Sequence, residues 1–150
     1  MEIQSQDLEE IAKVAAANLS KHHTGRLMVE DSGLFIRALD GFPGPFSSYV
    51  YDTLGTRGVL RLMKPVRKRD AYFQCSVACV SPNTGPIVFT GKTLGRICHR
   101  ELGKNGFGFD PIFIPVKSKK TFAQMSAELK NQWSHRARAF RKFADWYLSR

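Results

Sequence analysis

Two carboxylates, a hydroxyl and a glycine stand together at Glu30-Asp31-Ser32-Gly33, directly after the apolar run Leu27-Met28-Val29. Oxygen ligands in a tight turn at the end of a strand suit a hard cation such as Mg²⁺, and the carboxyl edge of the strands in an α/β sheet is where ligands collect. A polar strand exit would have the same composition. A second candidate is Gly103-Lys104-Asn105-Gly106-Phe107-Gly108-Phe109-Asp110-Pro111, where glycines let a ligand approach the backbone and Phe rings offer faces for a base to stack on. No helix follows these glycines, so they are not the dinucleotide-binding fingerprint, and core aromatics in a turn fit the same string. The third is Ser134-His135-Arg136, where Ser134 is the expected cap of the last helix. Cations in a first turn oppose the helix dipole, and an anionic or hydrogen-bond-accepting ligand would explain them.

The elements that must position these groups follow from periodicity. Leu8, Ile11, Ala12, Ala15, Ala16 and Leu19 recur at helical spacing, with Asp7 and Glu10 as a capping box, and His22-His23-Thr24-Gly25 closes the helix. A strand then leads into the acidic turn. Asp40-Gly41-Phe42-Pro43-Gly44-Pro45-Phe46 fixes a loop of defined shape, and 47–63 reads as a helix interrupted at Gly55 and restarted by Thr56. Residues 71–80 and 87–90 form an antiparallel hairpin about Ser81-Pro82-Asn83-Thr84-Gly85-Pro86, with a further strand over 92–98 after a bend or bulge at Gly91. A short strand, Ile112-Phe113-Ile114, precedes two helices, 127–133 and one from Ser134 whose apolar stripe is Phe140, Phe143, Ala144, Tyr147 and Leu148.

At 150 residues and 43% hydrophobic content, the chain is expected to form one domain over 1–150. No stretch approaches the roughly 18 apolar residues of a membrane span. Met1-Glu2-Ile3-Gln4 has neither the charged start nor the apolar middle of a signal peptide, so a cytoplasmic protein with no membrane partner is expected. Cys75, Cys79 and Cys98 are too few and too oddly spaced for a disulfide framework or a four-ligand zinc site and read as buried, reduced thiols. The formal net charge of +10 points to a polyanionic partner, with Arg136, Arg138, Arg141, Lys142 and Arg150 crowding the C-terminal segment. A nucleotide, a nucleic acid and an anionic surface all remain open on charge alone, and most such residues are simply solvated helix faces and loop tips.

Taken in order, Glu30-Asp31-Ser32-Gly33-Leu34, Gly41-Phe42-Pro43-Gly44-Pro45, Gly106-Phe107-Gly108-Phe109-Asp110-Pro111, Thr121-Phe122-Ala123, and Lys130-Asn131 with Ser134-His135-Arg136 resemble the inosine/xanthosine triphosphate pyrophosphatase family. The resemblance runs over essentially the whole chain, and Glu2-Ile3-Gln4 ahead of the first helix is similar to the archaeal branch. It implies an α/β fold, an elongated mixed sheet flanked by helices with two lobes and a central cleft. It implies Mg²⁺-dependent hydrolysis of a non-canonical purine nucleoside triphosphate (ITP, dITP or XTP) to monophosphate and pyrophosphate. Carried over by motif, Asp31 is the catalytic acid, Glu2 and Asp31 hold the metal, and Ser32 lies beside them at the substrate. Phe107, Gly108, Phe109 and Asp110 line the base pocket, and Lys130, His135 and Arg136 complete it. The family's homodimer is the expected assembly. Charge neutralisation and an oriented water are what phosphoryl chemistry needs, and two carboxylates holding Mg²⁺ supply both.

The chain departs from the family in having no Ser/Thr-Gly-Asn-x-x-Lys motif, the segment that grips the triphosphate there, so an N-terminally truncated domain with impaired turnover is expected. Gln124 and Leu129 stand where acids are usual, and Ala15 where some members have a phosphate-binding lysine. A nucleotide- or nucleic-acid-binding protein without catalysis is the rival expectation from another class.

Overall fold

Five strands in the order β2-β1-β3-β4-β5 organise the computed structural model, which describes residues 3–150, so that the expectation placed on Glu2 lies outside the described residues. The elements are α1 (Leu8–Ser20), β1 (Leu27–Ile36), β2 (Pro43–Gly44), α2 (Ser47–Thr53), α3 (Gly55–Met63), β3 (Asp70–Ser81), β4 (Thr84–Ile97), β5 (Phe113–Pro115), α4 (Ala127–Trp133) and α5 (His135–Leu148). The α/β architecture with flanking helices is as expected, but the sheet is not mixed: all four strand pairings among the described residues are antiparallel. Consecutive strands here are joined by a tight hairpin or by excursions that return the chain in the opposite sense, so no parallel crossover arises.

The hairpin is tighter and longer than its turn residues imply. β4 runs unbroken from Thr84 to Ile97, and Gly91 sits in regular register opposite Cys75 instead of at a bend. Its glycine has another cause. A Cβ at Gly91 would overlap the His135 carbonyl oxygen and the Ala139 nitrogen, so the backbone of α5 lies directly on the strand there. That close approach fixes the height of His135 above the sheet.

Alternation divides each strand between two sides. On one side, Cys75 and Val77 pack with Ala139 and Phe140 of α5, and beyond them Leu34, Ile36, Phe73, Phe113 and Phe122 join α3 residues Val59 and Met63 in the main core. On the other side, Ala12 and Ala16 of α1 pack with Ala78, Val80, Leu27 and Val29. Burial at this scale, about 25 cal/mol for each Å² of apolar surface, is what secures the helices to the sheet.

Local expectations fare differently. Asp7 caps α1 by accepting from the Glu9 N–H at 2.9 Å, but Glu10 accepts from the Ser5 hydroxyl at 2.6 Å and makes no reciprocal box. The break before α3 falls at Gly55, with φ of +65°, while Thr56 binds Glu101 through its hydroxyl and does not cap. Ser134 caps α5, accepting from the Ala137 N–H at 3.1 Å. Tyr147 and Leu148 leave the expected stripe and are exposed. The basic residues of α5 reach main-chain carbonyls: Lys142 donates to Thr90 at 2.6 Å, Arg138 to Lys92 at 3.1 Å and Arg141 to Asn131 at 2.7 Å. No helix among the described residues is long and apolar enough to cross a membrane.

Candidate active site

The acidic segment is the interior of β1, not a turn at its end. Glu30, Asp31 and Ser32 pair in register with Val77, Ser76 and Cys75. The strand continues because its far half is held: the Leu34 N–H donates to the Ser47 hydroxyl at 2.8 Å, and Leu34 and Phe35 pair with β2. Polar residues in mid-strand mimic a strand exit when only hydropathy is read. The consequence is that consecutive carboxylates face opposite sides of the sheet. Glu30 and Ser32 face the α5 side with Cys75 and Val77, and Asp31 faces the α1 side beside Ser76.

On the α5 side a cleft of about 570 Å³ opens between the 105–107 loop and the start of α4 and α5, lined by Phe107, Met125, Lys130, Asn131, His135 and Arg136 among others. His135 is buried and stacks on Phe73, with centroids 4.7 Å apart and ring planes 12° from parallel. Burial, and then the neighbouring charges of Lys130 and Arg136, push its pKa down to about 3. The imidazole is therefore neutral at pH 7, and the expectation of two cations in the first turn of α5 reduces to one, Arg136. Its Nδ1 is buried without a hydrogen-bond partner.

The charges around it are matched. Lys130 Nζ lies 2.6 Å from Asp110 Oδ2, and both side chains are largely buried. The same oxygen accepts from the Phe107 N–H at 3.1 Å, so Asp110 anchors the loop instead of facing ligand. Gly106, at φ of +73°, allows this: a Cβ there would overlap Asp110 Oδ2. Arg136 holds Glu30 Oε1 at 2.7 Å through Nε and again at 2.7 Å through Nη2. Lys130 and Arg136 both stand over the Phe107 ring, at 4.5 and 5.2 Å from its centroid, and Phe107 is 60% exposed. Phe109 turns the other way into the core, edge-on to Tyr51 at 5.5 Å.

On the α1 side a row of hydroxyls crosses the sheet from Asp31. Gln74 Nε2 donates to Ser76 Oγ at 3.3 Å, Ser76 and Thr90 hydroxyls meet at 3.0 Å, and Thr90 donates to Glu9 Oε1 at 2.7 Å. Because Thr90 gives its proton to Glu9, the Ser76 proton goes to Thr90, and the row runs toward the carboxylate. Among the described residues there is no group of three or more His, Cys, Asp or Glu that could hold a metal. Mg²⁺ does not require one, since it keeps several waters and takes one or two carboxylates plus substrate phosphates. A partly exposed Asp31 among hard oxygen donors fits that chemistry. Burial raises the Cys75 thiol to about 11, and all three cysteines are free thiols, which leaves them no nucleophilic part.

The structure thus brings Phe107, Lys130, His135 and Arg136 to one cleft, with Gly108 in the loop beside it and Asp110 behind it. Phe109 is in the core, and Ser32 stands behind the cleft, donating to Glu30 at 3.2 Å. Asp31 lies across the sheet. Sequence reasoning missed Phe73, the floor under His135, whose signal is its place in the alternation of β3, and it read Glu30 as a candidate metal carboxylate where the structure makes it the partner of Arg136.

The sequence pattern of the Ham1 family matches residues 1–146. The dITP/XTP pyrophosphatase of Methanopyrus kandleri is 47% identical over 146 residues, which is 97% of this chain and 78% of that protein. The dITP/XTP pyrophosphatase of Ignicoccus hospitalis is 48% identical over 145 residues, 96% of this chain and 77% of that one. The solved Staphylococcus aureus Ham1 protein superposes with a TM-score of 0.93 at 32% identity, over 99% of this chain and 80% of its own. Sequence over nearly the full chain and fold agree, and both place this chain in the Ham1 family.

Proposed function

We propose that this chain is a Mg²⁺-dependent pyrophosphohydrolase acting in the cytoplasm on purine nucleoside triphosphates that carry a keto group at position six, releasing the monophosphate and pyrophosphate. The relatives named dITP/XTP pyrophosphatase support the reaction class. The observation that carries the base preference is the buried, unpartnered Nδ1 of a neutral His135 between two groups that can only donate, Lys130 and Arg136.

A six-keto purine offers an acceptor to those donors, whereas a six-amino purine turns a donor toward donors. With its proton on Nε2, the neutral imidazole presents the Nδ1 lone pair to the N1–H of a six-keto purine, whereas the N1 of a six-amino purine is itself an acceptor. Phe107, exposed and steadied by two cations, is placed to cover the base. Asp31, with Glu2, would hold the metal, which when bound supplies charge neutralisation at the phosphates and an oriented water. The carboxylate of Asp31 is the group on hand to take the water's proton.

Pyrophosphate release from dITP, XTP and dATP tests this reading, with His135→Phe as the diagnostic variant because Phe keeps the stack on Phe73. We expect dITP and XTP to be preferred over dATP. Leaving buried groups unpaired costs roughly 1–3 kcal/mol, so kcat/KM for dITP should fall about 5- to 150-fold in the variant with dATP unchanged. Equal wild-type rates on dITP and dATP would overturn the base assignment.

A further inference from the structure

The cations along α5 fall into two groups with different surroundings. Those at the cleft are matched: Arg136 holds Glu30, and Lys130 of α4 holds Asp110. Further along the helix Arg138, Arg141 and Lys142 are exposed, and the ion pairs among the described residues include none of them. They converge on the outer side of β4 instead. Lys142 Nζ donates to the Thr90 carbonyl at 2.6 Å and Arg138 Nη1 to the Lys92 carbonyl at 3.1 Å, while Arg141 Nη2 reaches back to the Asn131 carbonyl at 2.7 Å. Between the first two carbonyls, Gly91 lets the backbone of α5 down onto the strand. The result is a groove of about 480 Å³ lined by Thr90, Gly91, Lys92, Arg138, Arg141 and Lys142.

Each of these contacts uses one donor of a group that has several, three on an ammonium and five on a guanidinium. A neutral amide would close the same carbonyls, so sealing the strand does not account for three positive charges. We infer that this groove binds the phosphate backbone of a nucleic acid duplex without regard to its sequence. The contacts to main chain hold the cations in place in advance, which lowers the entropy lost on binding. Arg138 and Lys142 are one helical turn apart, about 6 Å along the axis, and a duplex carries a negative charge for about every 1.7 Å of its own, so no particular register is needed. Lys92 adds to the field from the flank, where its ammonium stands 5.2 Å from the centre of the Tyr72 ring. No acid lines the groove: Glu9 reaches Thr90 from the α1 side, at 2.7 Å from its hydroxyl, and Asp145 lies one turn beyond Lys142. The lining also separates a duplex from its rivals. It holds no aromatic face on which the unpaired bases of a single strand would stack, and no apolar side chain to enter a membrane. The net charge of +10 concentrates a polyanion at the surface as a whole, and the groove is where it would be held. This binding does not depend on the proposed hydrolysis.

Fluorescence anisotropy of the whole chain with short labelled DNA duplexes tests the inference. Duplexes of unrelated sequence should bind within about threefold of each other, and the logarithm of the binding constant should fall linearly with the logarithm of salt concentration, with a slope of about −2.7 for three phosphates. Arg138→Gln should take about 0.9 from that slope. Arg141→Gln combined with Lys142→Gln should take about 1.8 and weaken binding about 60-fold at about 0.1 M salt. Glutamine keeps an amide donor, and circular dichroism should show the fold unchanged. Lys119→Gln combined with Lys120→Gln removes the same charge from the loop after β5 and should change the affinity less than about threefold. Vesicles of phosphatidylserine should bind more weakly than the duplex. Equal losses from the two double variants would reduce the effect to net charge and overturn the inference. So would a wild type that fails to bind duplex at about 50 mM salt, or one that prefers the vesicles or a single strand of the same length.

Discussion

Glu30 and Asp31 are consecutive carboxylates with opposite surroundings. Glu30 faces the α5 side, where Arg136 holds it twice and Ser32 donates to it at 3.2 Å. Asp31 faces the α1 side, beside Ser76, in a row whose hydroxyl protons run away from it toward Glu9. On the first face the protein matches the charges of Lys130 and Arg136 internally and leaves open a neutral ring nitrogen, an arrangement suited to reading the pattern of a base. On the second face the carboxylates of Asp31 and Glu9 and the hydroxyls of Ser76 and Thr90 gather hard oxygens, which suits a metal and phosphates. Strand alternation alone gives one dipeptide two surroundings, which under the proposed function divide recognition from chemistry.

The strongest way to break this comparison is to remove charge from one face at a time. Asp31→Asn preserves shape and should lower kcat for dITP by roughly 10²–10⁴-fold, the range for losing a proton-accepting or metal-positioning group. Nucleotide binding and thermal unfolding should change little, since the proposed base pocket lies across the sheet. Retention of most activity by Asp31→Asn would remove that residue from the chemistry and leave the α1 face without a role.

The matching change on the other face acts on stability. Lys130→Met leaves Asp110 charged, buried and without its cation, and breaking such a pair costs about 3–5 kcal/mol. The loss should appear as an earlier urea midpoint. Adding Asp110→Asn should recover more than half of it, because the neutral amide can still accept from the Phe107 N–H. A Lys130→Met protein as stable as the wild type would mean that Lys130 is held for ligand and not for the loop.

These pairings show what the sequence could and could not convey. Helices α1, α4 and α5 are legible because their apolar spacing and the caps Asp7 and Ser134 are local. The cleft was legible in part, since Phe107, Lys130, His135 and Arg136 are brought together as the motifs imply. Three things were not legible. The polarity of Glu30-Asp31-Ser32 hid a continuing strand, because its continuation is secured by Ser47 and by β2, both distant in sequence until the chain turns back. Gly91 was read from its own backbone freedom, when its cause is the approach of α5. The charge state of His135 depends on burial against Phe73 and on two neighbouring cations, none of which spacing reveals.

That charge state gives a pH dependence with a definite sign. Unfolded, His135 has the ordinary histidine pKa near 6.5; folded, it is held down to about 3, so the unfolded chain binds the proton more readily. Its contribution is fully present above pH 6.5 and is lost as pH falls toward 3. Between pH 7 and pH 5 this amounts to about 2 kcal/mol. Urea unfolding at those two values should show the loss in the wild type and a smaller one in His135→Phe. An equal loss in both would mean that His135 takes up its proton alike in the folded and unfolded chain, and that burial does not hold it neutral.

Glu30→Gln should have the smallest effect, and it is the sharpest check on the division between the faces. The Glu30 and Arg136 side chains are 26% and 45% exposed, so their pairing is screened and contributes about 0–1 kcal/mol. Glutamine still accepts one hydrogen bond from the guanidinium, and Arg136 keeps its place over Phe107. The variant should therefore retain kcat for dITP, with KM altered no more than about fivefold, a free-energy change under 1 kcal/mol. A loss of kcat comparable to that of Asp31→Asn would place both carboxylates at the reacting phosphates, and the assignment of Glu30 to base recognition would have to be abandoned.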